Sequence, residues 1–377
     1  MAKLSAVAIE NWRVIEGLEA VPSPALLVIE EQVRQNIATA VDLAGGADRL
    51  RPHVKTHKME EVVGLQMDAG ITRFKCATPA EVAMVARCGG RDVLLANQPV
   101  GPNAGRLLEL TRRFPDTTFA TVLDDPGAAR ALAKIFAEAN AEIGIFLDLD
   151  CGMQRTGIAP GQGALALYRE IAGLRGLRAE GLHVYDGHVR EAGRSQREVH
   201  FSEAMAPVSE LLGALSEEGL PVHSLVGGGS PTFAQHAGRA WPGLRAECSP
   251  GTFVFWDAGY SESFPDLDFQ PAAFVLSRVV SKPGVDLLCL DLGNKAVASE
   301  NPPARRVRFP DLPDAEVRVH SEEHLVLEVE NASAFAVGDL VCGVPWHICP
   351  TVALYEEATV VRGSQVAESW KVAARGR

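Results

Sequence analysis

The sequence predicts an α/β protein built as an eight-stranded (β/α) barrel with a C-terminal β-domain. Short β-branched or apolar runs alternate with amphipathic helical windows from about Ala25 to about Phe255, the signature of repeated βα units. After about Tyr260 the helical windows stop, and short strand-like runs separated by Gly, Pro, Asn and Asp take over. The chain has 377 residues, more than one hydrophobic core usually serves. The expected division is a barrel over 25–260 and a β-rich domain made of 1–24 plus 261–377.

The eight expected barrel strands are 25–29, 50–54, 73–77, 92–96, 118–123, 143–149, 179–184 and 222–226. Between them lie windows such as 31–43, 79–88, 125–139 and 197–218, each with apolar residues at three-and-four spacing. Two of these open on helix-starting chemistry, Thr78-Pro79 and Asp125-Pro126. Past the boundary the strand-like runs are 274–280, 287–292, 325–329, 340–344 and 358–361, and 301–313 reads as a loop opened by Asn301-Pro302-Pro303.

Composition narrows the function classes. Hydrophobic residues make up 47% and charged residues 22%, the balance of a folded globular protein. A formal charge of -12 argues against a polyanion-binding surface, so nucleic acid is not an expected partner. No apolar run approaches the roughly 20 residues that span a bilayer. The start, Met1-Ala2-Lys3-Leu4, leads into Glu10, Asn11 and Arg13 instead of a secretory apolar region. The expectation is a cytoplasmic protein without a membrane partner. Seven cysteines, an odd number without any C-x-x-C spacing, read as reduced thiols. Cys76, Cys88, Cys289 and Cys342 sit among apolar or small residues and read as buried small hydrophobes, which leaves Cys349 as the exception.

Four stretches carry chemistry. Arg51-Pro52-His53-Val54-Lys55-Thr56-His57-Lys58 opens on a strand and closes on a helical pattern. A lysine beyond the carboxyl end of a barrel strand stands where that fold places its active site, and desolvation there favours the neutral amine, so Lys55 is a candidate Schiff-base former. Alone, the octapeptide also reads as a solvated lysine beside two ordinary histidines. Gly227-Gly228-Gly229-Ser230 follows the last expected strand, where glycine N–H groups approach an anion closely and a hydroxyl adds a donor. Gly228, Gly229 and Ser230 then form a phosphate cradle that Gly251 and Thr252 of Ser249-Pro250-Gly251-Thr252 complete, the other reading being a flexible turn. The loop 150–157 follows the run 143–149, so Arg155 is expected on the same barrel face as Lys55, where its permanent charge would keep a nearby pyridine nitrogen unprotonated, the other reading being an ordinary surface arginine. Tyr185, in Tyr185-Asp186-Gly187-His188, reads as a flank for an aromatic cofactor or as a core tyrosine, and His188 as a base or a surface histidine. His347-Ile348-Cys349 lies in a strand-like stretch, where residues two apart share a face. An imidazole and a thiolate together suit a borderline divalent metal with open positions, though a buried pair needs no metal.

With these residues in order, the chain resembles the fold-type III pyridoxal-phosphate enzymes of the alanine racemase type, and more narrowly the D-threonine aldolase and D-serine dehydratase family. The resemblance runs from Pro24-Ala25-Leu26-Leu27 to Val360 and rests on Arg-Pro-His-x-Lys-x-His-Lys at 51–58, the Gly-Gly-Gly-Ser turn, and Pro345-Trp346-His347-Ile348-Cys349-Pro350-Thr351. It implies that Lys55 carries pyridoxal 5'-phosphate, that Arg155 and Tyr185 contact the ring region, and that the glycine loops hold the phosphate. It further implies that His347 and Cys349 bind a divalent metal, Mn2+ or Zn2+, and that two subunits form a homodimer. One departure matters: some aldolases of the family carry aspartate where this chain has Cys349, while histidine plus cysteine is familiar from the dehydratases. The segment 181–188 looks instead like the aldolase branch.

The activity implied is that of a metal-dependent lyase, cleaving a small D-β-hydroxy-α-amino acid such as D-threonine to glycine and an aldehyde. Lys55, His347 and His188 would be its catalytic residues, His188 serving as base on the β-hydroxyl. The first alternative is dehydration of D-serine or D-3-hydroxyaspartate to ammonia and a 2-oxo acid. An amino-acid racemase of the same fold, with a second acid/base and no metal, is another. A non-catalytic pyridoxal-phosphate-binding protein would lack the β-domain, and the long segment after Tyr260 counts against it.

Overall fold

The computed structural model describes residues 12–376; the expectations that rest on 1–11 lie outside the described residues. The chain divides into two compact units, one running to residue 39 and adding 56–62 and 252–375, the other holding 40–55 and 63–251.

The first strand departs from expectation. β1 (Ala25–Ile29) is not a barrel strand but the centre of the β-rich unit, paired parallel with one strand and antiparallel with another. Five consecutive apolar residues suit any strand buried on both faces, and its neighbours lie far off in sequence, so local pattern cannot place it. The barrel unit therefore starts at residue 40 and not at 25. Its strands are β2 (Arg73–Cys76), β3 (Asp92–Leu95), β4 (Thr118–Leu123), β5 (Ile143–Leu149), β6 (Leu177–Val184), β7 (Ser224–Gly227) and β8 (Arg245–Cys248), parallel and hydrogen-bonded in chain order. Residues 50–53 supply the eighth stave through two isolated parallel bridges, Leu50 to Cys248 and His53 to Lys75, which close the sheet on itself. The count of eight stands, with β8 replacing the expected 25–29. β8 escapes a sequence reading because two of its four residues, Arg245 and Glu247, are charged.

Those charges have a reason. Inward-facing side chains of this barrel form tiers. At the amino ends of the strands, fully buried Arg51 donates to Glu247 and, at 2.7 and 2.9 Å, to both oxygens of Asp92, while Arg245 reaches Glu247 at 2.7 Å. Above them lies an apolar tier of Leu94, Ala120, Val122, Phe146 and Val226. Near the carboxyl ends come Lys75, Asp148 and His183, all buried. Helices pack outside, and the two predicted caps are made: Thr78 Oγ1 accepts from Glu81 N–H at 3.3 Å and Asp125 Oδ1 from Ala128 N–H at 2.7 Å.

In the β-rich unit, β1 lies between β9 (Ala273–Gly284) and the later β15; β10 (Leu287–Leu290), β11 (Val307–Arg308), β12 (Glu316–His320), β13 (Leu325–Glu328), β14 (Leu340–Pro345), β15 (Glu357–Arg362) and β16 (Gln365–Lys371) complete the sheet. Residues 301–313, expected as a loop, hold one helical turn and the short β11. Trp12, Ile15, Leu18 and Val21 pack with Leu27, Phe274 and Leu276 in this unit's core. Among the described residues no disulfide joins any of the seven cysteines; Cys88 is half-buried, against the expectation of a buried one. Among the described residues no helix is long and apolar enough to cross a membrane.

Candidate active site and metal centre

Lys55 sits half-buried in the single helical turn Val54–Thr56 directly beyond the closing stave, at the carboxyl end where this fold does chemistry. Its backbone N–H donates to His53 Nδ1 at 3.4 Å, which pins the turn. Lys58 is held otherwise, in the left-handed region at φ 55° with Nζ on the Ala374 carbonyl at 3.5 Å.

The glycine loop leaves β7, next to β8 and the closing stave. Gly228 has φ 78°, and a Cβ there would stand 2.5 Å from the His236 ring. The ring is fixed from behind: Asp186 accepts from Thr232 Oγ1 at 2.8 Å and pairs with His236 Nε2 at 3.0 Å. Burial opposes charge on Asp186, but His236 and the hydrogen bonds from His236 and Thr232 hold its carboxyl below the usual range. Only glycine fits between ring and loop, and buried Ser230 completes the turn. Ser249, Pro250 and Gly251 leave β8; the Ser249 hydroxyl donates to Arg51 O at 2.7 Å and Pro250 O accepts from His53 N–H at 2.9 Å. Thr252, the other predicted phosphate contact, belongs to the β-rich unit and opens the turn Thr252–Val254.

Arg155 lies exposed on the loop after β5, its guanidinium 4.4 Å from the centre of the Tyr185 ring. Asp150 accepts from Gly152 and Gln154 N–H, and Thr156 donates to Asp148 at 3.0 Å, so the loop is rigidly tied. His188 is brought to the same loop, its ring edge-on against His200 at 5.1 Å and its buried Nδ1 without a partner among the described residues. A Cβ at Gly152 would lie 2.7 Å from His188 Nε2.

Sequence reasoning misses the polar tier beneath these loops. His183 Nδ1 meets Asp148 Oδ1 at 2.6 Å, and its buried Nε2 has no partner among the described residues. Burial holds the ring neutral despite the nearby carboxylate; burial also resists charge on Asp148, but His183 and Thr156 keep that carboxyl below its usual range. Lys75 stands in the same tier, 3% exposed. A charged residue inside a short apolar strand, Phe74-Lys75-Cys76 or Leu147-Asp148-Leu149, is the available signal.

In the β-rich unit the expected strand geometry of the metal pair is corrected. β14 ends at Pro345, and His347 is the N-cap of the short helix Ile348–Val352. A helical turn, not strand alternation, brings imidazole and thiol together, and the two share a hydrogen bond. His347 Nδ1 meets Glu300 at 2.6 Å, and Cys349 Sγ lies 3.1 Å from Thr56 Oγ1 and 3.5 Å from Thr252 Oγ1. Burial works against charge on the half-exposed His347, yet Cys349, Asp257 and Glu300 raise it to about 9. Anionic groups thus surround a ring that carries a proton, and a borderline divalent cation takes the same donors in exchange for protons. Among the described residues no group of three or more His, Cys, Asp and Glu is placed to hold a metal, and His347 with Cys349 is a pair of donors only. The residues fit a divalent metal here, and the glycine cradle beside Lys55 fits pyridoxal phosphate.

A cavity of about 600 Å³ among Ser209, Leu220 and Trp241 lies at the amino ends of β7 and β8, the end opposite the chemistry, and none of these site residues lines it.

Family models and known proteins agree with this geometry. Residues 29–258 match the model "Alanine racemase, N-terminal domain", and 272–361 match "Putative serine dehydratase domain". The chain is 28% identical over 369 residues to a D-threonine aldolase from Arthrobacter sp, spanning 96% of this chain and 94% of that one. It is 25% identical to a D-threo-3-hydroxyaspartate dehydratase from Delftia sp. (strain HT23), spanning 94% and 98%. The crystal structure of D-threonine aldolase from Filomicrobium marinum superimposes with a TM-score of 0.87 at 29% identity, covering 95% of this chain and 96% of that one. The chain therefore belongs to the alanine racemase N-terminal domain family, within the fold-type III pyridoxal-phosphate enzymes of the D-threonine aldolase and D-serine dehydratase kind.

Proposed function

We propose that this protein is a metal-dependent pyridoxal-phosphate lyase that splits D-β-hydroxy-α-amino acids, D-threonine among them, into glycine and an aldehyde. The observation that carries the reading is the placement of Lys55 one turn beyond the stave that closes the barrel, beside a loop in which only glycine fits. When bound, the cofactor supplies an electron sink for the bond broken at Cα. Lys55 would hold it through its amine, and Gly228, Gly229, Ser230 and Gly251 would hold its phosphate. Arg155, over the Tyr185 ring, would supply a permanent positive charge toward the cofactor's ring nitrogen. His188 would take the β-hydroxyl proton, a role supported by an Nδ1 that has no partner among the described residues. His347 and Cys349 would hold the divalent metal, which would supply Lewis acidity. Imidazole plus thiolate favours Zn2+ over Mn2+ in affinity. The subunit pairs as a homodimer, as the family resemblance implies, and a monomer in analytical ultracentrifugation would count against that.

One observation favours a second reading. The His347–Cys349 pair is the dehydratase-like combination; removal of the Cα proton with loss of the protonated hydroxyl as water, followed by hydrolysis of the resulting enamine, turns the same substrates into ammonia and a 2-oxo acid. Purified protein with cofactor and metal, given D-threonine, D-threo-phenylserine and D-serine, decides through separate assays of glycine, aldehyde, ammonia and 2-oxo acid. Mainly glycine and aldehyde supports the aldolase; mainly 2-oxobutanoate and ammonia from D-threonine replaces it with the dehydratase. Lys55→Ala should lose the visible absorbance of the loaded protein, and its retention would overturn the lysine assignment.

A further inference from the structure

Lys75 has no role in the reading above, yet a buried amine in a barrel interior requires one. Its side chain is 3% exposed, and the described residues give it neither ion pair nor hydrogen bond. The neighbouring carboxylates are committed elsewhere: Asp148 to His183 and Thr156, Asp186 to Thr232 and His236. Burial, then the charge of Lys55 and that of Arg155, lower the amine to about 7 against the pull of Asp148 and Asp186. An ammonium left without a counter-charge in a protein interior is costly, and an anionic oxygen seated there would remove the cost.

The order of the staves says which oxygen. Around the barrel run β7 and β8 with the glycine loops, the closing stave with Lys55, β2 with Lys75, then β3, β4, and β5 with Arg155. Around a pyridoxal ring run the phosphate arm, the aldehyde, the hydroxyl, the methyl group and the nitrogen. The two cycles match when the phosphate lies at the glycine loops and the aldehyde at Lys55: the hydroxyl then falls to the next stave, β2, and the nitrogen to Arg155. We propose that Lys75 is a cofactor-binding residue that donates to the ring's 3-hydroxyl oxygen, which is acidic enough to be held as an anion by an adjacent ammonium. His183 Nε2, buried without a partner in the same tier, borders this polar patch.

This inference rests on the pyridoxal-phosphate reading, and the test separates the two. Apo-protein is titrated with pyridoxal 5'-phosphate and with 3-deoxypyridoxal 5'-phosphate, following tryptophan fluorescence and absorbance instead of turnover. The wild type should bind the natural cofactor roughly tenfold or more tightly than the deoxy analogue, the scale of one charge-assisted hydrogen bond. Lys75→Met should bind the two alike, with its affinity for the analogue near that of the wild type, and Lys75→Arg should keep the preference. If Lys75→Met does not fold, Lys75→Gln makes the same comparison. A Lys75→Met or Lys75→Gln protein that keeps the wild-type preference, or a wild type that shows none, overturns the assignment alone. Failure of the wild type to bind either compound overturns the cofactor reading with it.

Discussion

Gly228 shows how one residue can be required twice. It sits at φ 78°, and its missing Cβ leaves room for the His236 ring. Gly228→Ala should cost about 1–3 kcal/mol in thermal unfolding and weaken cofactor binding, because both the backbone and the ring must move; unchanged Tm and affinity would contradict this account. Cys349 makes the second residue-scale case. Its sulfur meets two hydroxyls and the His347 ring, so Cys349→Ala should reduce bound zinc or manganese, measured per chain by elemental analysis, and abolish turnover while leaving the cofactor's absorbance in place. Metal content equal to the wild type's would place the ion elsewhere. The lysine and the glycine loop are legible because their chemistry is written in consecutive residues. The supports are not: Asp186 and His236 meet across a long gap in sequence, and nothing local to either announces the other.

Among the elements, local pattern reads the strands with apolar inward faces well and the others poorly. β4 and β5 are almost wholly buried, and their apolar runs mark them to within a residue. β8 is hidden because its inward face is charged, and β1 is misplaced because an apolar run does not name its neighbours. The charged tier that hides β8 also makes it vulnerable. Glu247 accepts from both Arg51 and Arg245, so Glu247→Gln leaves a buried guanidinium short of charge and should destabilise the barrel by about 3 kcal/mol, the cost of breaking a buried pair. A shift of Tm by less than about a degree would mean that Asp92 alone satisfies Arg51. The helix caps at Thr78 and Asp125 are readable for the opposite reason, since a cap and its target lie three residues apart.

At the scale of the whole molecule, titrations in both units add with the same sign on the acid side. Burial pushes His57 from 6.5 down to about 3 and also lowers His183. A group whose folded value is depressed contributes stability that is complete above its unfolded value and disappears as pH falls towards the folded one. The histidine contributions therefore begin to go below about pH 6.5. Those of Asp92, Asp148 and Asp186, held below the usual carboxylate range, follow in stronger acid. His347 runs the other way, its contribution lost as pH rises through about 9. Tm should fall steadily from pH 7 to 5, before the depressed carboxyls of Asp92, Asp148 and Asp186 titrate; a flat Tm over that interval would show the buried histidines to be charged or solvated when folded. The bridges from Leu50 to Cys248 and from His53 to Lys75 act on yet another timescale, that of synthesis. A ribosome delivers residues 50–55 early and Cys248 only after every other stave has emerged, so the closing stave of a nascent chain keeps one edge unpaired, with the candidate lysine beside it, for about half of translation. The cradle beside that lysine is likewise made from late residues, and a half-made chain therefore has the amine without the means to retain a cofactor on it.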